Sequence, residues 1–580
     1  MARQHREQDV PASTSTGGRG ETISLHVVVF VCGAVLMAFE MVGSRILAPT
    51  FGSTIFVWGS LIGVFLAALS LGYLVGGRLA DRVPKFSLLG AIIAVAGLLV
   101  LVVPLFAPHC CRWIDRSNAG QRINPLLAST LLFFVPSMLL GMVSPFSVRL
   151  QAQSVATVGN VAGRLYSLST LGSIVGTIVA TFWFIPAFGV SNIVKALGVC
   201  LILVSLLAIL PRVRPRASAA GVGALAGVAL AMVSGAVLAI LPAPSYIQLD
   251  AGETLVAEVD SPYQRIGVLL LSRGYDEESK QWSLRMMFDK YIESEIMVQG
   301  GDPKDIRIKE PYESGAKYTD TLHIPWLFNR DAKSVLIVGG GGGVVPTVFR
   351  RDYPQLETID VVEIDPTVVE VATKYFGFRP GENGVSTTIM DGRVYVRDCT
   401  RQYDIILLDA FTGGRPPFHL LTREFLELVK ARLGPKGVVH LNIISALEGE
   451  KSRLFWAMLK TFHSVFGPQH VYVFPKLYDP RWGATRSRTD GMNVELVALN
   501  FDDFENPLPK TVIEARARER VGSLIKIPSV LRHAENYQTM DDLLSTHDPS
   551  ERRRRERQRE WQNAPVMTDD YAPVDNWVTD

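Results

Sequence analysis

The chain has two parts that differ in their pattern of hydrophobic and polar positions. From about residue 22 to residue 244, long apolar stretches with few acidic residues follow one another, whereas the remainder alternates short apolar runs with polar segments. A helix needs roughly 20 apolar residues to cross a bilayer. The pattern therefore predicts about seven membrane spans, near residues 24–44, 55–77, 87–107, 126–148, 165–186, 190–210 and 221–242.

Glycines recur at four-residue spacing inside these apolar stretches. Small residues at this spacing let helix backbones approach closely in lipid, although chance would also produce such pairs in a glycine-rich apolar sequence. The pairs are Gly59/Gly63, Gly72/Gly76 and Gly172/Gly176.

The second part of the chain predicts two folded regions in succession. Residues 246–300 contain short strand-like runs separated by turn residues, which favours a small β-domain. After residue 330, strand and helix signals alternate, which is typical of a doubly wound parallel sheet. The strands are expected at 334–338, 359–363, 404–408 and 437–443, and the helices at 344–352, 366–376 and 422–433.

The predicted fold class is an α-helical multi-span membrane domain followed by an α/β unit. In that unit a small N-terminal β-domain precedes a Rossmann-like doubly wound parallel sheet. In chain order, the predicted domains are a disordered N-terminus, the transmembrane domain, the β-domain with its lead-in, the Rossmann-like domain and a C-terminal extension. Their bounds are residues 1–22, 23–244, 245–330, 331–500 and 501–580.

Five consecutive glycines, Gly339 to Gly343, follow the apolar run 334–338, and the next apolar run carries an acid at Glu363. This order of strand, turn without side chains and acidic strand tip is the plan of a nucleoside-binding βαβ unit. Glycines let the backbone approach a ligand closely, and a carboxylate can accept hydrogen bonds from two ribose hydroxyls. Ligands of doubly wound sheets lie at the carboxyl ends of the strands, which adds Asp391 with Gly392, and Asp409, as candidates.

Each of these signals has an alternative interpretation. A bare glycine run also occurs in loops and linkers, and either Glu363 or Asp409 could cap the helix that follows it. The pair of Asp391 and Gly392 is a common turn and would be taken for a loop by itself.

Composition limits the classes of partner. With 58 basic and 56 acidic residues, the net charge of +2 favours neither nucleic acid nor an acidic partner. The five cysteines show neither metal-ligand spacing nor a disulfide framework, so no metal site is predicted.

Six segments in the second part resemble the spermidine/spermine synthase (polyamine aminopropyltransferase) family, and they occur in that family's order. The whole chain is also similar to bacterial proteins that fuse a multi-span membrane domain to such a synthase domain, including their ending at 568–575. The six segments are SPYQ at 261–264, VLIVGGGGG at 335–343, VVEIDPTVVEVATKYF at 361–376, MDGRVYV at 390–396, YDIILLDA at 403–410 and LTREF at 421–425.

The resemblance implies how a nucleoside ligand would be held. It implies that Gln264 contacts the adenosyl group beside the glycine turn of Gly339, Gly340 and Gly341. It also implies that Glu363 holds the ribose hydroxyls. The remaining implied contacts are Asp391 and Gly392 at the adenine edge and Pro416 over the nucleoside.

For catalysis, the resemblance implies that Asp409 is the base. An amine is protonated at neutral pH and must lose a proton before it attacks, and a nearby carboxylate can accept that proton. The implied co-substrate is decarboxylated S-adenosylmethionine or S-adenosylmethionine itself, and no metal is required because the sulfonium already activates its neighbouring carbon.

The departures from the family concentrate in the part of the site expected to hold the amine. Gly342 and Thr412 stand where the family has aspartates, and Tyr318-Thr319 stands where it has a Tyr-His or Tyr-Gln pair. Losing two charge-assisted hydrogen bonds of roughly 1.5–3 kcal/mol each would weaken diamine binding by orders of magnitude. Four acids could supply replacement charge, although on sequence alone each is expected to be a solvated or structural acid: Asp289, Glu293, Glu295 and Asp320.

Three functions are therefore considered. The first is a membrane-anchored aminopropyltransferase of polyamine biosynthesis, acting on a small-molecule amine. The second is a transferase that uses S-adenosylmethionine on another acceptor, and the third is a membrane sensor or transporter that binds an adenosyl ligand without turnover. The expected partners are the amine substrate and membrane lipid, with a homodimer also considered and no nucleic acid.

The location of the second part conflicts with the number of predicted spans. Basic residues precede the first span and follow the second, fourth and sixth, which places the N-terminus in the cytoplasm. Seven spans would then export a domain whose expected nucleoside ligand is cytoplasmic. Either one span is miscounted, in the last segment or the region near 104–108, or the second part faces outward. We expect a multi-pass protein of the inner membrane with a cytoplasmic second part.

Overall fold

A computed structural model describes residues 19–580 apart from 53, 118–119, 121, 153, 210–218, 274–280, 412–415, 480–483, 486, 502–506, 545–549, 573 and 575–580. The chain divides into two compact units. One unit comprises Met1–Phe51 and Phe56–Ser245, and the other comprises Gly52–Ile55 and Tyr246–Asp580. Most of the predicted disordered N-terminus lies outside the described residues, and the first helix already begins at Arg19.

The first unit is helical. The residue composition is compatible with this, because a long apolar run satisfies its own backbone hydrogen bonds when it forms a helix. A π-helical turn, Ala180–Phe184, joins the sixth helix to the seventh. The helices are α1 (Arg19–Phe51), α2 (Ile55–Arg82), α3 (Phe86–Arg116), α4 (Asn124–Gly141), α5 (Val143–Gln151), α6 (Val155–Val179), α7 (Ile185–Ala187), α8 (Val190–Ile209) and α9 (Ala219–Ile240).

Six stretches of helix in the described part of the chain are long and apolar enough to cross a membrane, compared with the seven spans predicted. The segment predicted as the seventh span, 221–242, lies in α9, where the apolar helix that remains among the described residues is only Ala229–Ile240. The other six predicted segments each fall within one of the six stretches: Thr22–Phe51, Ile55–Arg82, Phe86–Arg116, Asn124–Gln151, Thr157–Ala187 and Val190–Ile209.

Two of the three glycine pairs lie where helix backbones meet. A Cβ atom on Gly172 or Gly176 would overlap a backbone carbonyl of α1, whereas one on Gly72 would overlap the Met138 carbonyl of α4 and one on Gly76 the backbone of Met142. Gly59 and Gly63, by contrast, have no neighbouring atom within 4 Å of an added Cβ. The spacing therefore identified close helix packing at two pairs and was coincidental at the third.

The second unit begins with a five-stranded antiparallel sheet in the order β1-β2-β3-β4-β5. Arg285, on the third strand, is held between Glu253 and Glu295 at 3.1 Å each, which ties three strands together. The strands are β1 (Glu253–Asp260), β2 (Arg265–Arg273), β3 (Gln281–Phe288), β4 (Tyr291–Gln299) and β5 (Arg307–Ile308).

A seven-stranded sheet follows a 3₁₀ segment, Lys317–Leu327. Its strand order is β11-β14-β10-β9-β6-β7-β8, and a separate two-stranded hairpin, β12 with β13, lies outside it. The strands are β6 (Ser334–Val338), β7 (Thr358–Glu363), β8 (Val385–Ile389), β9 (Tyr403–Leu408), β10 (Leu433–Ser445), β11 (Val471–Pro475), β12 (Tyr478–Asp479), β13 (Ala484–Thr485) and β14 (Met492–Leu499).

The predicted α/β fold class is confirmed, with one correction to the sheet. Strands β8, β7, β6, β9 and β10 pair in parallel, whereas β14 runs antiparallel to both β10 and β11. Among the described residues between β11 and β14 there is no helix, and strands joined without a crossover helix pair antiparallel. The sheet is therefore mixed at one edge and parallel where the candidate residues lie.

Helices cover both faces of this sheet, because β6 buries Val335 and Ile337 in one core and Leu336 and Val338 in the other. The C-terminal helices contribute to the same two cores. The helices of this unit are α10 (Val344–Asp352), α11 (Pro366–Tyr375), α12 (Gly392–Asp398), α13 (Arg423–Ala431), α14 (Arg453–Phe466), α15 (Lys510–Arg520), α16 (Val530–Glu535), α17 (Met540–Leu544) and α18 (Glu551–Asn563).

Candidate active site

The glycine turn lies at the point where the strand order reverses, between β6 and β9. Gly339 (φ +101°) and Gly341 (φ +47°) adopt backbone conformations that side chains disfavour. A Cβ atom on Gly339 would overlap the carbonyl oxygen of Asp409, so the turn passes directly against the tip of β9. The backbone hydrogen bond from the Asp409 N–H to Val338 (2.9 Å) fixes the two tips side by side.

Glu363, at the tip of β7, faces the glycine turn. Its Oε2 accepts a hydrogen bond from the Gly340 N–H at 2.8 Å, and its Oε1 accepts one from the Asp365 N–H at 3.0 Å. The helix that follows is capped by Asp365, which accepts from the Thr367 N–H, so Glu363 is not the helix cap. Burial raises the pKa of the Glu363 carboxyl, although the backbone hydrogen bonds oppose that effect.

Asp409, at the tip of β9, is 7% exposed. Its Oδ1 accepts a hydrogen bond from Asn442 Nδ2 at 2.9 Å. The next α-helix is capped by Thr422, whose hydroxyl accepts from the Phe425 N–H, so Asp409 does not cap it. Burial, with a smaller contribution from Glu495, raises the pKa of Asp409 to about 7, while the Asn442 hydrogen bond lowers it. A carboxyl with such a pKa can take up a proton near neutral pH.

A cluster of buried polar side chains, formed by His440, Glu495 and Thr321, lies near Asp409. His440 Nε2 and Glu495 Oε2 are 2.8 Å apart, and Thr321 donates to Glu495 Oε1 at 2.8 Å. Sequence reasoning missed Asn442, His440 and Glu495, because they alternate with apolar residues on β10 and β14 and resemble ordinary strand positions. The sequence feature that could have identified them is the presence of polar residues within otherwise apolar strands.

Asp391 and Gly392 lie beside the end of β6. The Asp391 carboxylate caps α12 by accepting from the Arg393 and Val394 N–H groups, and its other oxygen is 3.0 Å from His419 Nε2. A Cβ atom on Gly392 would lie 2.5 Å from Val338 Cγ1, so this position requires glycine. The role of Asp391 at an adenine edge stays a prediction.

The C-terminal extension fixes this corner of the site. Asp569 binds Arg393 through two hydrogen bonds of 2.7 and 2.6 Å, and it also accepts from the Thr422 hydroxyl at 2.8 Å. The extension therefore holds α12 and the start of α13 in place. The motif at 568–575 did not predict these contacts, because they join residues far apart in the sequence.

The antiparallel sheet forms one wall of the site. The Gly342 N–H donates to Ser294 Oγ at 2.8 Å, and Tyr318 donates to the carbonyl oxygen of Glu293 at 3.1 Å. Burial, together with Asp409, Glu293 and Glu495, raises the pKa of the Tyr318 phenol, so this side chain lies among the carboxylates.

The remaining predicted residues are placed as follows. Gln264 is buried, with its backbone held by Ser261 at 2.9 Å, and Pro416 is buried in the segment after β9. Thr319 donates to Ala316 within its own loop at 2.8 Å rather than extending toward the other residues. Thr412 lies outside the described residues.

Metal-ligating side chains do not gather anywhere in the part of the chain that the structure describes, since no group of three or more His, Cys, Asp or Glu residues could hold an ion.

Comparison with known families identifies this part of the molecule. Residues 316–490 match the spermine/spermidine synthase domain. The chain contains a spermine/spermidine synthase domain. The synthase domain includes the glycine turn, Glu363 and Asp409, whereas Glu293 and Gln264 precede it in the chain.

Individual relatives match the same region. The polyamine aminopropyltransferase of Vibrio vulnificus is 40% identical over 178 residues, covering 30% of this chain and 55% of that protein. Putrescine N-methyltransferase 2 of Nicotiana attenuata is 30% identical over 184 residues, covering 29% and 48% respectively. A solved structure, of a probable spermidine synthase from Corynebacterium glutamicum, is 19% identical with a TM-score of 0.35, covering 53% of this chain and 95% of that one. The chain spans about half the length of the two curated relatives.

The raised pKa of Asp409 predicts a pH-dependent cost to the stability of the synthase domain. Because the folded pKa, about 7, exceeds the ordinary 3.8, the protonated form favours folding. This contribution of protonated Asp409 to the stability of the folded state is fully present below about pH 4. It is lost as the pH rises through 7. Asp409→Asn should therefore stabilise the domain at pH 8, by at most on the order of 4 kcal/mol, and by less at pH 5.

Hydrogen–deuterium exchange of β9 and β10 in the full-length protein, compared between variant and unaltered chain at each pH, measures this gain. The matched control is Asp398→Asn, an exposed aspartate paired with Arg397, which should show no gain at pH 8. An equal gain from Asp409→Asn at both pH values would contradict the raised pKa.

Proposed function

We propose that the synthase domain transfers an aminopropyl group from decarboxylated S-adenosylmethionine to an amine, in a membrane-anchored chain serving polyamine biosynthesis. The observation that carries this proposal is the buried carboxyl of Asp409, whose pKa is raised to about 7, placed against the glycine turn at Gly339. The relatives named polyamine aminopropyltransferase support it, although each is matched over only part of its length.

In this proposal the nucleoside of the donor lies at the glycine turn. Glu363 accepts hydrogen bonds from the ribose hydroxyls with the oxygen lone pairs that its two backbone donors leave available. Gly339, Gly340 and Gly341 provide the close backbone approach. The remaining donor contacts are proposed for Gln264, Asp391, Gly392 and Pro416.

The proposed reaction is a displacement at carbon. The amine nitrogen forms a bond to the carbon next to the sulfonium, the carbon–sulfur bond breaks, and its electron pair leaves with sulfur in methylthioadenosine. Before the attack, the ammonium group of the acceptor gives one proton to Asp409, which a carboxylate with a pKa near 7 accepts at neutral pH. Positioning of the two substrates provides the rest of the acceleration.

A second candidate is transfer of a methyl group from S-adenosylmethionine to an amine or another acceptor. Two observations favour it: the similarity to putrescine N-methyltransferases of Nicotiana, and Gly342, where the synthase family has an aspartate that would repel a donor carboxylate. Both reactions would use Asp409 as base and would differ in the product that carries the adenosyl group.

A third candidate is an adenosyl-binding sensor or transporter without turnover. A ligand-binding site needs no proton acceptor, and an ionisable group buried without a cation partner destabilises the fold. Asp409 has this cost and caps no helix, which favours an enzyme.

The products separate these candidates. Full-length protein in detergent, incubated with each donor and a panel of aliphatic amines, should release methylthioadenosine only when decarboxylated donor and amine are both present. Asp409→Asn should lower this rate by about 100-fold or more, since it removes the general base, and Asp398→Asn should leave it unchanged.

Mass spectrometry of the nucleoside products reads the outcome directly. S-adenosylhomocysteine in place of methylthioadenosine would replace the first proposal with the second. Tight binding of either donor without any product would contradict both transferase proposals.

We also propose that the six apolar helices anchor the chain in the cytoplasmic (inner) membrane, in contact with lipid, and that the synthase domain faces the cytoplasm. An even number of spans returns the chain to the side of its basic N-terminus. Association as a homodimer stays a prediction, which light scattering of the detergent-solubilised protein would test.

Reporter fusions to the C-terminus in a bacterial host test the orientation. Green fluorescent protein, which folds in the cytoplasm, should fluoresce, and alkaline phosphatase, which needs the oxidising exterior, should stay inactive. The reverse pattern would mean an odd number of spans, with α9 crossing the membrane.

A further inference from the structure

Strand β4 has an irregularity at Glu293 that directs its side chain into the site. Met286 on β3 pairs with Ser294, whereas the next residue, Met287, pairs with Ile292, so Glu293 is an extra residue without a partner. Such a β-bulge interrupts the alternation of side chains between the two faces and re-aims a side chain, frequently beside active sites. At this bulge, the neighbouring residues Glu293 and Ser294 both contact the glycine turn.

The contacts are close. Glu293 Oε1 lies 3.1 Å from where a Cβ atom of Gly341 would be, and Ser294 Oγ accepts the Gly342 N–H at 2.8 Å. A Cβ atom on Gly342 would come within 2.8 Å of Ser294 Cβ. The space that a side chain at position 342 would need is therefore taken by β4, which brings its own carboxylate to the turn.

The other acids that could replace the missing charge hold the fold instead. Glu295 binds Arg285 at 3.1 Å, Asp289 accepts from the Arg265 N–H at 3.1 Å, and Asp320 accepts from Ser529 at 2.6 Å. Among the described residues, no ion pair or hydrogen bond reaches the Glu293 carboxylate. It interacts with Asp409 and Glu363, two further carboxylates, and burial together with these charges raises its pKa.

We infer that Glu293 binds a substrate ammonium group in this site and replaces, from a different strand, the aspartate that the synthase family has at position 342. The inference rests on the proposed function. Three carboxylates around the glycine turn attract a cation and repel an anion, and an aliphatic ammonium group is the cation that an amine substrate carries. The ammonium group belongs either to the acceptor amine or to the aminopropyl arm of the donor.

The same placement bears on the choice of donor. S-adenosylmethionine differs from its decarboxylated form by one carboxylate, next to the amino group. A carboxylate at Glu293 disfavours that anion, as an aspartate at position 342 would. Glu293 therefore restores the discrimination that Gly342 was expected to remove, and it favours the decarboxylated donor.

The test compares Glu293→Gln with two further variants of the full-length protein in detergent. Glu293→Asp keeps the charge on a shorter side chain, and Ser294→Ala changes the neighbouring contact to the turn without changing charge. The substrates are both donors, 1,4-diaminobutane, and butylamine as an acceptor with only one ammonium group. Binding of methylthioadenosine, which carries no ammonium group, reports whether the nucleoside part of the site is intact.

Loss of one charge-assisted hydrogen bond corresponds to roughly a 10- to 100-fold weaker interaction. Glu293→Gln should raise the KM of the substrate whose ammonium group it binds by that factor and leave the Kd of methylthioadenosine within about twofold. An effect on diaminobutane but not butylamine assigns the acceptor, and an effect on the decarboxylated donor assigns the donor. Glu293→Asp should recover part of the loss, and Ser294→Ala should not reproduce the charge dependence.

An unchanged KM for every substrate in Glu293→Gln would overturn the inference. Equal weakening of methylthioadenosine would also overturn it, because Glu293 would then shape the turn rather than bind a cation. Failure of the proposed function is separable, since diaminobutane binding can be measured by calorimetry with methylthioadenosine present. If the unaltered chain makes no product but binds diaminobutane, and Glu293→Gln loses that binding, only the proposed function fails. If the unaltered chain neither turns over nor binds either amine or the decarboxylated donor, the inference fails with it.

Discussion

The carboxylates of Glu293, Glu363 and Asp409 lie close together around the glycine turn, where they are poorly solvated and repel one another. The proposed chemistry of the second unit depends on this arrangement. Glu363 and Asp409 are each 7% exposed, and electrostatic interactions link both of them to Glu293. Among the described residues no lysine or arginine pairs with any of the three. An isolated buried charge destabilises the fold. Protonation of these carboxyl groups, or binding of a cationic ligand, would relieve that cost. Both conditions suit a site that receives an ammonium group and takes a proton from it.

The surrounding sheet makes this arrangement possible. Parallel strands β7, β6 and β9 end at one edge, which brings Glu363, the glycine turn and Asp409 together. Backbone donors from Gly340 and Asp365 hold Glu363, and Asn442 holds Asp409. The antiparallel sheet then closes one side through Ser294 and Tyr318. Glu363 and Asp409 are thus each held in place by hydrogen bonds at the strand ends, which favours precise positioning of reacting groups.

The sequence was sufficient for the parts of the site that follow from local pattern. The strands at 334–338 and 404–408, the glycine turn and the acids at strand tips are encoded by adjacent residues, and the structure has them there. Asn442, His440 and Asp569 are encoded only by the tertiary fold, because each meets its partner across a long separation in the chain. The same is true of Glu293, whose direction is set by a bulge and not by alternation. The antiparallel strand β14 was missed because prediction followed strand–helix alternation, and β14 has no preceding helix.

In the helical unit, six of the predicted segments lie in described helices that are long and apolar enough to cross a membrane, and the seventh lies in α9, of which only Ala229–Ile240 is described as an apolar helix. Four-residue glycine spacing was informative only where a partner helix approaches, at Gly72 with Gly76 and at Gly172 with Gly176. Composition cannot distinguish these from Gly59 and Gly63, since all three pairs have similar apolar neighbours.

The proposal that Glu363 recognises the ribose is the one to test first. Among the described residues, Glu363 is the acid whose side chain accepts a hydrogen bond from the backbone of the glycine turn. Calorimetry of the full-length protein with methylthioadenosine and with its 2′,3′-dideoxy analogue measures this recognition, in the unaltered chain and in Glu363→Gln. The unaltered chain should bind methylthioadenosine at least about 10-fold more tightly than the analogue, and Glu363→Gln should remove most of that preference. Glu357→Gln, at an exposed glutamate paired with Lys333, should retain it. Equal binding of the two nucleosides by the unaltered chain would contradict the account.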